Sequence, residues 1–239
     1  MNNFSLLTKQ NISIGLIWLF HVSGSIGIIY SDATWFLKAT PINLLLSFVL
    51  LLINTRLNKK TSFILLLCFV TGMLAEIIGV KFGFLFGNYT YGDALGYKVL
   101  GVPLMIGVNW SILVFITGFI AQFFSNSLFL RVFIGVGLML FLDLVMEPIA
   151  PKLDFWTFEG GLASFHNYFG WAIIALPLQW MFHKSSVKIE GPFPFHLYLL
   201  QVLFFLILLL KLNTQDYSQI QDDEKSSLFY FFNGLYFFM

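Results

Sequence analysis

Charged residues are scarce in this sequence. Asp, Glu, Lys and Arg make up 10% of its 239 residues, against roughly 25% in soluble domains. The acidic and basic residues almost cancel, leaving a net charge of +1, and no basic cluster resembles a phosphate-binding patch. The low fraction of charged residues excludes an ordinary soluble domain. The lack of a basic cluster indicates that nucleic acid is not a partner.

Cysteine is almost missing too. The single one, Cys68, lies in an apolar run and cannot form a disulfide within the chain. No His or Cys pair has metal-ligand spacing, as in HxxxH or CxxC, and the sequence has neither a glycine-rich nucleotide motif nor Gly-x-Ser-x-Gly. We therefore expect no metal site.

Apolar residues are what the sequence has in abundance. They make up 58% of the chain, with 30 Phe, and the mean hydropathy is +0.84. We predict an all-α fold, a polytopic transmembrane helix bundle of about seven spans, because a spanning helix needs about 20 mostly apolar residues. The predicted spans are 12–30, 36–54, 62–80, 102–124, 130–149, 167–183 and 195–212. Lys38 and Pro41 interrupt the start of the second.

The predicted spans form one domain, residues 1–212, followed by a tail. Residues 213–239 are polar at first and end in "LFYFFNGLYFFM", which is too short to span a bilayer. We predict that this tail lies at the membrane interface or is disordered.

Lys and Arg residues indicate the orientation of the chain. With alternating spans, one side receives seven of them and the other six, of which two are in the tail. This bias favours a cytoplasmic N-terminus in a multi-pass protein of the bacterial inner membrane. The two longest loops, 81–101 and 150–166, then share the outer side.

Three carboxylates lie where carboxylates are costly, next to hydrocarbon. Asp143 and Glu147 are one helical turn apart in "DLVMEPIA" and share a helix face, and Pro148 marks the helix end. Glu76 lies near the end of the third span. The ordinary explanations are a solvated Glu147 at the interface and a structural pair between Glu76 and Lys81.

Three stretches, taken in order, resemble the membrane-bound carotenoid hydratases. This family includes the bisanhydrobacterioruberin hydratases of halophilic archaea and the γ-carotene 1′,2′-hydratases of bacteria. The stretches are "EIIGVKFGFLFGNYTYGDALGYKVLGVPLMIGVNW", "DLVMEPIAPKLDFWTFEGG" and "FHNYFGW". The resemblance covers residues 76–171, and the flanking helices resemble the family only in being hydrophobic.

The resemblance implies an enzyme, a hydro-lyase that adds water to the terminal C1=C2 double bond of an acyclic carotenoid ψ-end, as in lycopene, γ-carotene or bisanhydrobacterioruberin. Protonation of C2 leaves a tertiary cation at C1, water then gives a tertiary alcohol, and no cofactor is needed. A carboxylic acid still protonated near neutral pH must supply the proton. We expect Asp143, the deepest, to be this acid, and Glu147 or Glu76 to activate the water; any permutation of the three stays open.

Aromatic and amide residues in the same stretches are expected to bind the substrate. Aromatic faces stabilise a passing cation, and Asn167 would orient the water. The expected substrate-binding residues are Tyr89, Tyr91, Trp110, Trp156, Asn167 and Trp171. For each Tyr, an aromatic belt at the membrane interface is the ordinary explanation. The expected partners are the carotenoid, the lipid bilayer and other enzymes of the carotenoid pathway.

Other functions stay open beside this one. A membrane carotenoid cyclase also begins by protonating a ψ-end, but it adds no oxygen. A polyprenyl transferase needs two Asp-rich motifs, and only "DLVME" is present. A transporter or a non-catalytic carotenoid-binding protein would also explain intramembrane carboxylates, although no repeated halves are visible.

Overall fold

The computed structural model describes residues 8–212, and the predicted tail over 213–239 lies outside them. The described part is a bundle of helices, which confirms the all-α prediction. The helices are α1 Lys9–Tyr30, α2 Ala33–Lys38, α3 Thr40–Ile53, α4 Lys59–Phe82, α5 Leu104–Phe124, α6 Leu128–Met146, α7 Phe165–Lys184 and α8 Phe193–Leu212.

Five of these helices, α1, α4, α5, α6 and α8, are long and apolar enough to cross a membrane. The protein is therefore an integral membrane protein. The helix α7 has 20 residues and coincides with the sixth predicted span, whereas α3 has 14 and is short for a span. The count of seven spans stays a prediction.

The second predicted span, 36–54, is not one helix. It divides into α2 and α3 at Ala39, and Pro41 lies in the first turn of α3. The reason is that proline has no backbone N–H and fits only the first turn, where that donor has no partner within the helix. Asp32 caps the N-terminus of α2 by accepting from the backbone N–H of Trp35.

The helix α5 lies at the centre of the bundle, where it packs against α3, α4, α6 and α7. Glycines allow the close approach of its neighbours. A Cβ atom at Gly72 of α4 would lie 2.4 Å from the ring of Trp110 on α5. A Cβ at Gly118 of α5 would lie 2.5 Å from the ring of Phe182 on α7. The first contact fixes how closely α4 approaches α5 at Trp110, and the second how closely α7 approaches α5.

The two longest loops pair with each other at one end of the bundle. Strand β1, Tyr89–Tyr91, pairs antiparallel with β4, Trp156–Phe158, so that Tyr91 lies opposite Trp156. Strands β2, Lys98–Val99, and β3, Val102–Pro103, form a second short pair. A three-residue 3₁₀ helix, Pro151–Leu153, precedes β4.

A side chain from the second loop reinforces this pairing. The Asp154 carboxylate accepts hydrogen bonds from the backbone N–H groups of Asp93, at 2.8 Å, and Ala94, at 3.1 Å. Gly92 passes so close to Asp154 that a Cβ atom would lie 2.1 Å from the carboxylate oxygen. The loops therefore hold a defined position over the ends of α4 and α6.

Candidate active site

The ends of two helices bring three carboxylates together. Glu76 lies in the last two turns of α4, Asp143 in the last turn of α6, and Glu147 caps the C-terminus of α6. All three are buried, and Asp143 is completely so. Among the described residues, none of them forms a salt bridge. Neutral donors form hydrogen bonds to each of them instead, which makes the site polar without a fixed positive charge.

Glu76 accepts three hydrogen bonds. Tyr89 Oη and Tyr91 Oη donate to Oε2 at 2.5 and 2.8 Å, and Trp110 Nε1 donates to Oε1 at 3.1 Å. Alternate residues of a strand point to the same face, which explains why both phenols reach one oxygen. Lys81 is not among these partners, so the structural Glu–Lys pair is not what buries Glu76.

Both phenols remain hydrogen-bond donors over a wide pH range. Burial, with the charge of Glu76 as a smaller cause, raises the pKa of Tyr89 and of Tyr91 above the usual value for a phenol. The hydroxyl groups therefore keep their protons. The two tyrosines thus contact Glu76 and do not lie in an aromatic belt, whereas Tyr97 of the same loop is 76% exposed.

Asn167 joins the other two carboxylates. Its Nδ2 donates to Asp143 Oδ2 at 3.0 Å and to Glu147 Oε1 at 3.1 Å. Trp156 Nε1 donates to Glu147 Oε2 at 3.1 Å. Both oxygens of Glu147 are therefore engaged, whereas Asp143 Oδ1 is buried with no partner among the described residues.

The position of Glu147 also affects its proton affinity. The residue lies just past the last residue of the spanning helix α6. Burial raises the pKa of its carboxyl group to about 7, and the hydrogen bonds from Trp156 and Asn167 oppose this rise. A carboxyl group with such a pKa exchanges protons near neutral pH.

Two tryptophans form an aromatic wall beside the carboxylates. The rings of Trp110 and Trp171 stack with their centroids 4.2 Å apart and an angle of 17° between the planes. Because Trp110 also donates to Glu76, the stack and the hydrogen bond fix the same ring. Such a face attracts a cation.

The carboxylates surround a cavity of about 20 Å³. This volume accommodates about one water molecule. All nine site residues predicted from the sequence line this small cavity. The structure thus brings them together, while their individual roles stay predictions. Among the described residues, no group of three His, Cys, Asp or Glu side chains is placed to hold a metal ion.

A larger, mostly apolar cavity of about 240 Å³ adjoins the first. It lies between α1, α2, α3, α5 and α8, and we call it the apolar cavity. The two cavities share four lining residues, Ile106, Asn109, Met146 and Trp156. These shared residues place the apolar cavity next to the carboxylates.

Sequence reasoning missed several lining residues. Phe86, Ile106, Met146 and Phe158 look like any other apolar residue of a membrane protein. Asn109 carried a signal, because it is an amide inside a spanning helix directly before Trp110. Its side chain lines both cavities.

This chain is similar to known proteins. The family described as carotenoid biosynthesis protein matches residues 38–219, which include every residue of the carboxylate site. The bisanhydrobacterioruberin hydratase of Haloarcula japonica is 30% identical over 108 residues, 41% of this chain. The match spans 36% of that relative's length. No solved structure matches. Because the family match covers most of the chain, the protein belongs to the carotenoid biosynthesis protein family.

Proposed function

We propose that this protein is a carotenoid hydratase, which adds water to the terminal C1=C2 double bond of an acyclic ψ-end and forms a tertiary alcohol. The observation that carries the proposal is a water-sized cavity lined by three buried carboxylates, which shares four lining residues with a larger apolar cavity. The named activity of the Haloarcula japonica relative supports the same reaction.

Asp143 is the best candidate for the general acid. Its Oδ2 accepts from Asn167, and its Oδ1, which has no partner among the described residues, is the oxygen free to carry a transferable proton. Transfer of that proton to C2 forms the new C–H bond with the π electrons and leaves the positive charge on C1. Asp143 is then a carboxylate.

Glu147 is the best candidate for the base that takes a proton from the attacking water. It shares Asn167 with Asp143, so the acid and the base are held by one amide. The water oxygen bonds to C1 and its proton passes to Glu147, and a proton then returns to Asp143. The sum is one alkene plus one water giving one alcohol, with no oxidant or reductant.

Glu76 and the tryptophans stabilise the cation by electrostatic attraction, and they do not transfer a proton. Both oxygens of Glu76 are engaged by three donors, which leaves this carboxylate poorly placed to donate a proton. Near the cation its negative charge is stabilising, and the stacked faces of Trp110 and Trp171 add to this.

The rest of the substrate is expected to lie in the apolar cavity and in lipid. We further propose that the protein works in the bacterial inner membrane, with its N-terminus in the cytoplasm, beside other enzymes of the carotenoid pathway. The Lys and Arg bias supports the orientation.

The test is expression in cells that accumulate lycopene or γ-carotene, followed by mass spectrometry of the pigments. The expected product is one water heavier and has a tertiary hydroxyl. Asp143→Asn should lower the rate by at least about 10²–10⁴, the usual contribution of a general acid. Glu190→Gln is the matched control, since the Glu190 side chain is 39% exposed and pairs with Lys9 and Arg56, and Glu190 lines neither cavity.

Two results would overturn the proposal. Unchanged pigments in cells that contain well-folded protein would show that ψ-ends are not hydrated. An isomer of unchanged mass with an altered spectrum would show a cyclase instead. Wild-type activity of Asp143→Asn would refute only the assignment of Asp143 as the general acid. It would leave the proposed hydration reaction standing.

A further inference from the structure

The apolar cavity contains polar groups that the hydration reaction does not use. His21 on α1, Asn43 on α3 and Gln201 on α8 all line it. Each lies within an otherwise apolar helix of a membrane protein, where a polar side chain without a partner is unfavourable. Polar side chains from three different helices thus surround one cavity, which raises the question of what ligand they bind.

The amide oxygens of this group are unsatisfied. Gln201 is 6% exposed, and its Oε1 is buried with no hydrogen-bond partner among residues 8–212. The same holds for Oδ1 of Asn43. Buried polar atoms without partners are rare in native proteins, so each needs an explanation. A ligand that donates a hydrogen bond inside the cavity provides one.

His21 offers a third acceptor. Its Nδ1 lies 2.8 Å from the carbonyl oxygen of Ile17, and a carbonyl can only accept, so Nδ1 carries the proton. In the neutral ring, Nε2 is then an acceptor. His21 also packs edge-on against Phe204, which lies one turn beyond Gln201 on α8 and lines the same cavity.

The charge of the cavity limits the ligand further. None of its lining residues is Asp, Glu, Lys or Arg. A diphosphate or a carboxylate would therefore be buried without a counter-ion, which is strongly unfavourable. A neutral hydroxyl group both donates and accepts, and it fits amide and imidazole partners.

From these observations we propose that His21, Asn43 and Gln201 form a hydroxyl-binding subsite, and that the preferred substrate is an isoprenoid chain with a free hydroxyl group on the part that occupies the apolar cavity. The inference rests on the proposed function in one respect, which is that the apolar cavity receives the substrate. It adds a preference within the substrate class, since a hydroxylated isoprenoid should bind more tightly than a pure hydrocarbon such as lycopene.

The test compares an alcohol with the ether in which a methyl group replaces the hydroxyl hydrogen. Geranylgeraniol and its methyl ether are titrated into the purified full chain in detergent, and the dissociation constant is obtained from the ligand-induced shift in Tm. We expect the alcohol to bind about tenfold more tightly, the usual effect of one net hydrogen bond. Geranylgeranyl diphosphate should bind more weakly than the alcohol.

Two variants separate the subsite from general packing. Gln201→Met keeps an unbranched side chain of similar length and removes the amide, and it should bring the alcohol and the ether to equal affinity. Asn43→Leu should also reduce the difference in affinity between the alcohol and the ether. Tyr198→Phe is the control on α8, because Tyr198 donates to the Leu138 carbonyl and does not line the cavity. It should preserve the preference for the alcohol.

The possible outcomes distinguish this inference from the proposed function. Equal affinity of the alcohol and the ether for the wild-type protein would overturn the subsite, even if the same protein hydrates lycopene. Equally tight binding of dioleoylglycerol would assign the hydroxyl group to a membrane lipid and overturn the substrate class. A preference for the alcohol without any hydration of lycopene or γ-carotene would support the subsite and count against the hydratase.

Discussion

Tyr91 and Trp156 lie opposite each other in the β1–β4 pair, and each donates a hydrogen bond to a different carboxylate. Tyr91 Oη reaches Glu76 and Trp156 Nε1 reaches Glu147, while their ring centroids are 6.2 Å apart. One cross-strand pair therefore ties the ends of α4 and α6 to each other through the loops. The separation of the two glutamates depends on the register of this short sheet.

Removal of the phenol hydroxyls should destabilise the buried Glu76 carboxylate, because it loses hydrogen-bond donors. Tyr89→Phe and Tyr91→Phe each take one donor from Oε2, and a buried acceptor that loses a partner costs about 1–3 kcal/mol. We expect each variant to lower both the Tm in detergent and the rate of hydration, and the double variant to lower them further. Tyr97→Phe is the control from the same loop, since Tyr97 is exposed. An effect of Tyr97→Phe equal to the others would argue against a specific role of the two donors.

The hydration rate should rise with pH through about 7. Below this value Glu147 holds its proton and cannot accept one from water, and above it the ionised carboxylate can, because burial places its pKa at about 7. The measurement is the initial rate in permeabilised membranes between mildly acidic and mildly alkaline buffers. Glu147→Gln should abolish this rise. A rate that falls through the same pH range would reverse the roles and make Glu147 the acid.

Gly72 should tolerate no side chain. In Gly72→Ala the new methyl group would lie 2.4 Å from the Trp110 ring, which must then move away from Glu76 and Trp171. Overpacking of this kind costs about 1–3 kcal/mol, so we expect a lower Tm and a large loss of activity. Gly137→Ala on α6 is the matched control, because nothing lies within 4 Å of its added Cβ. Equal stability of the two variants would show that Trp110 can shift freely.

Asn109 should govern whether water captures the cation. Both N–H groups of Asn167 are engaged by the carboxylates, which leaves Asn109, at the junction of the two cavities, as the amide best placed to hold the attacking water. Without it, the cation should lose a proton more often and return an isomeric alkene. Asn109→Leu is expected to lower the ratio of alcohol to isomerised alkene several-fold, measured by chromatography of the pigments.

The matched variant for this prediction is Asn109→Ser, which keeps a hydrogen-bonding group and should restore part of the alcohol. A merely structural role would lower the amounts of both products together. An unchanged ratio in Asn109→Leu would remove Asn109 from the water site.

The sequence identified site residues where a residue type was unusual in its surroundings or belonged to a family motif. Asp143, Glu147 and Glu76 could be singled out because carboxylates are rare in apolar helices, and Trp110 and Asn167 because they lie in motifs of a recognisable family. The helices themselves followed from apolar runs of sufficient length. The division of the second predicted span could be anticipated only in part, from Pro41.

Other features depend on tertiary packing and left no local signal. Strands β1 and β4 have three residues each and lie in loops far apart in the chain, so neither their pairing nor the register of Tyr91 with Trp156 was predictable. His21, Asn43 and Gln201 belong to three separate helices, and each alone looks like an isolated polar residue. Only the arrangement of the helices shows that they face one cavity.

The break between α2 and α3 bears on how a water-insoluble molecule reaches its enzyme. Trp35 and Ile42, on either side of the break, line the apolar cavity and are 63% and 65% exposed. These accessible apolar side chains form one wall of the cavity at the break. A pigment dissolved among the acyl chains meets this wall by diffusing sideways in two dimensions, and it never has to leave the membrane. Its turnover should therefore follow the mole fraction of pigment in the bilayer rather than its concentration in water.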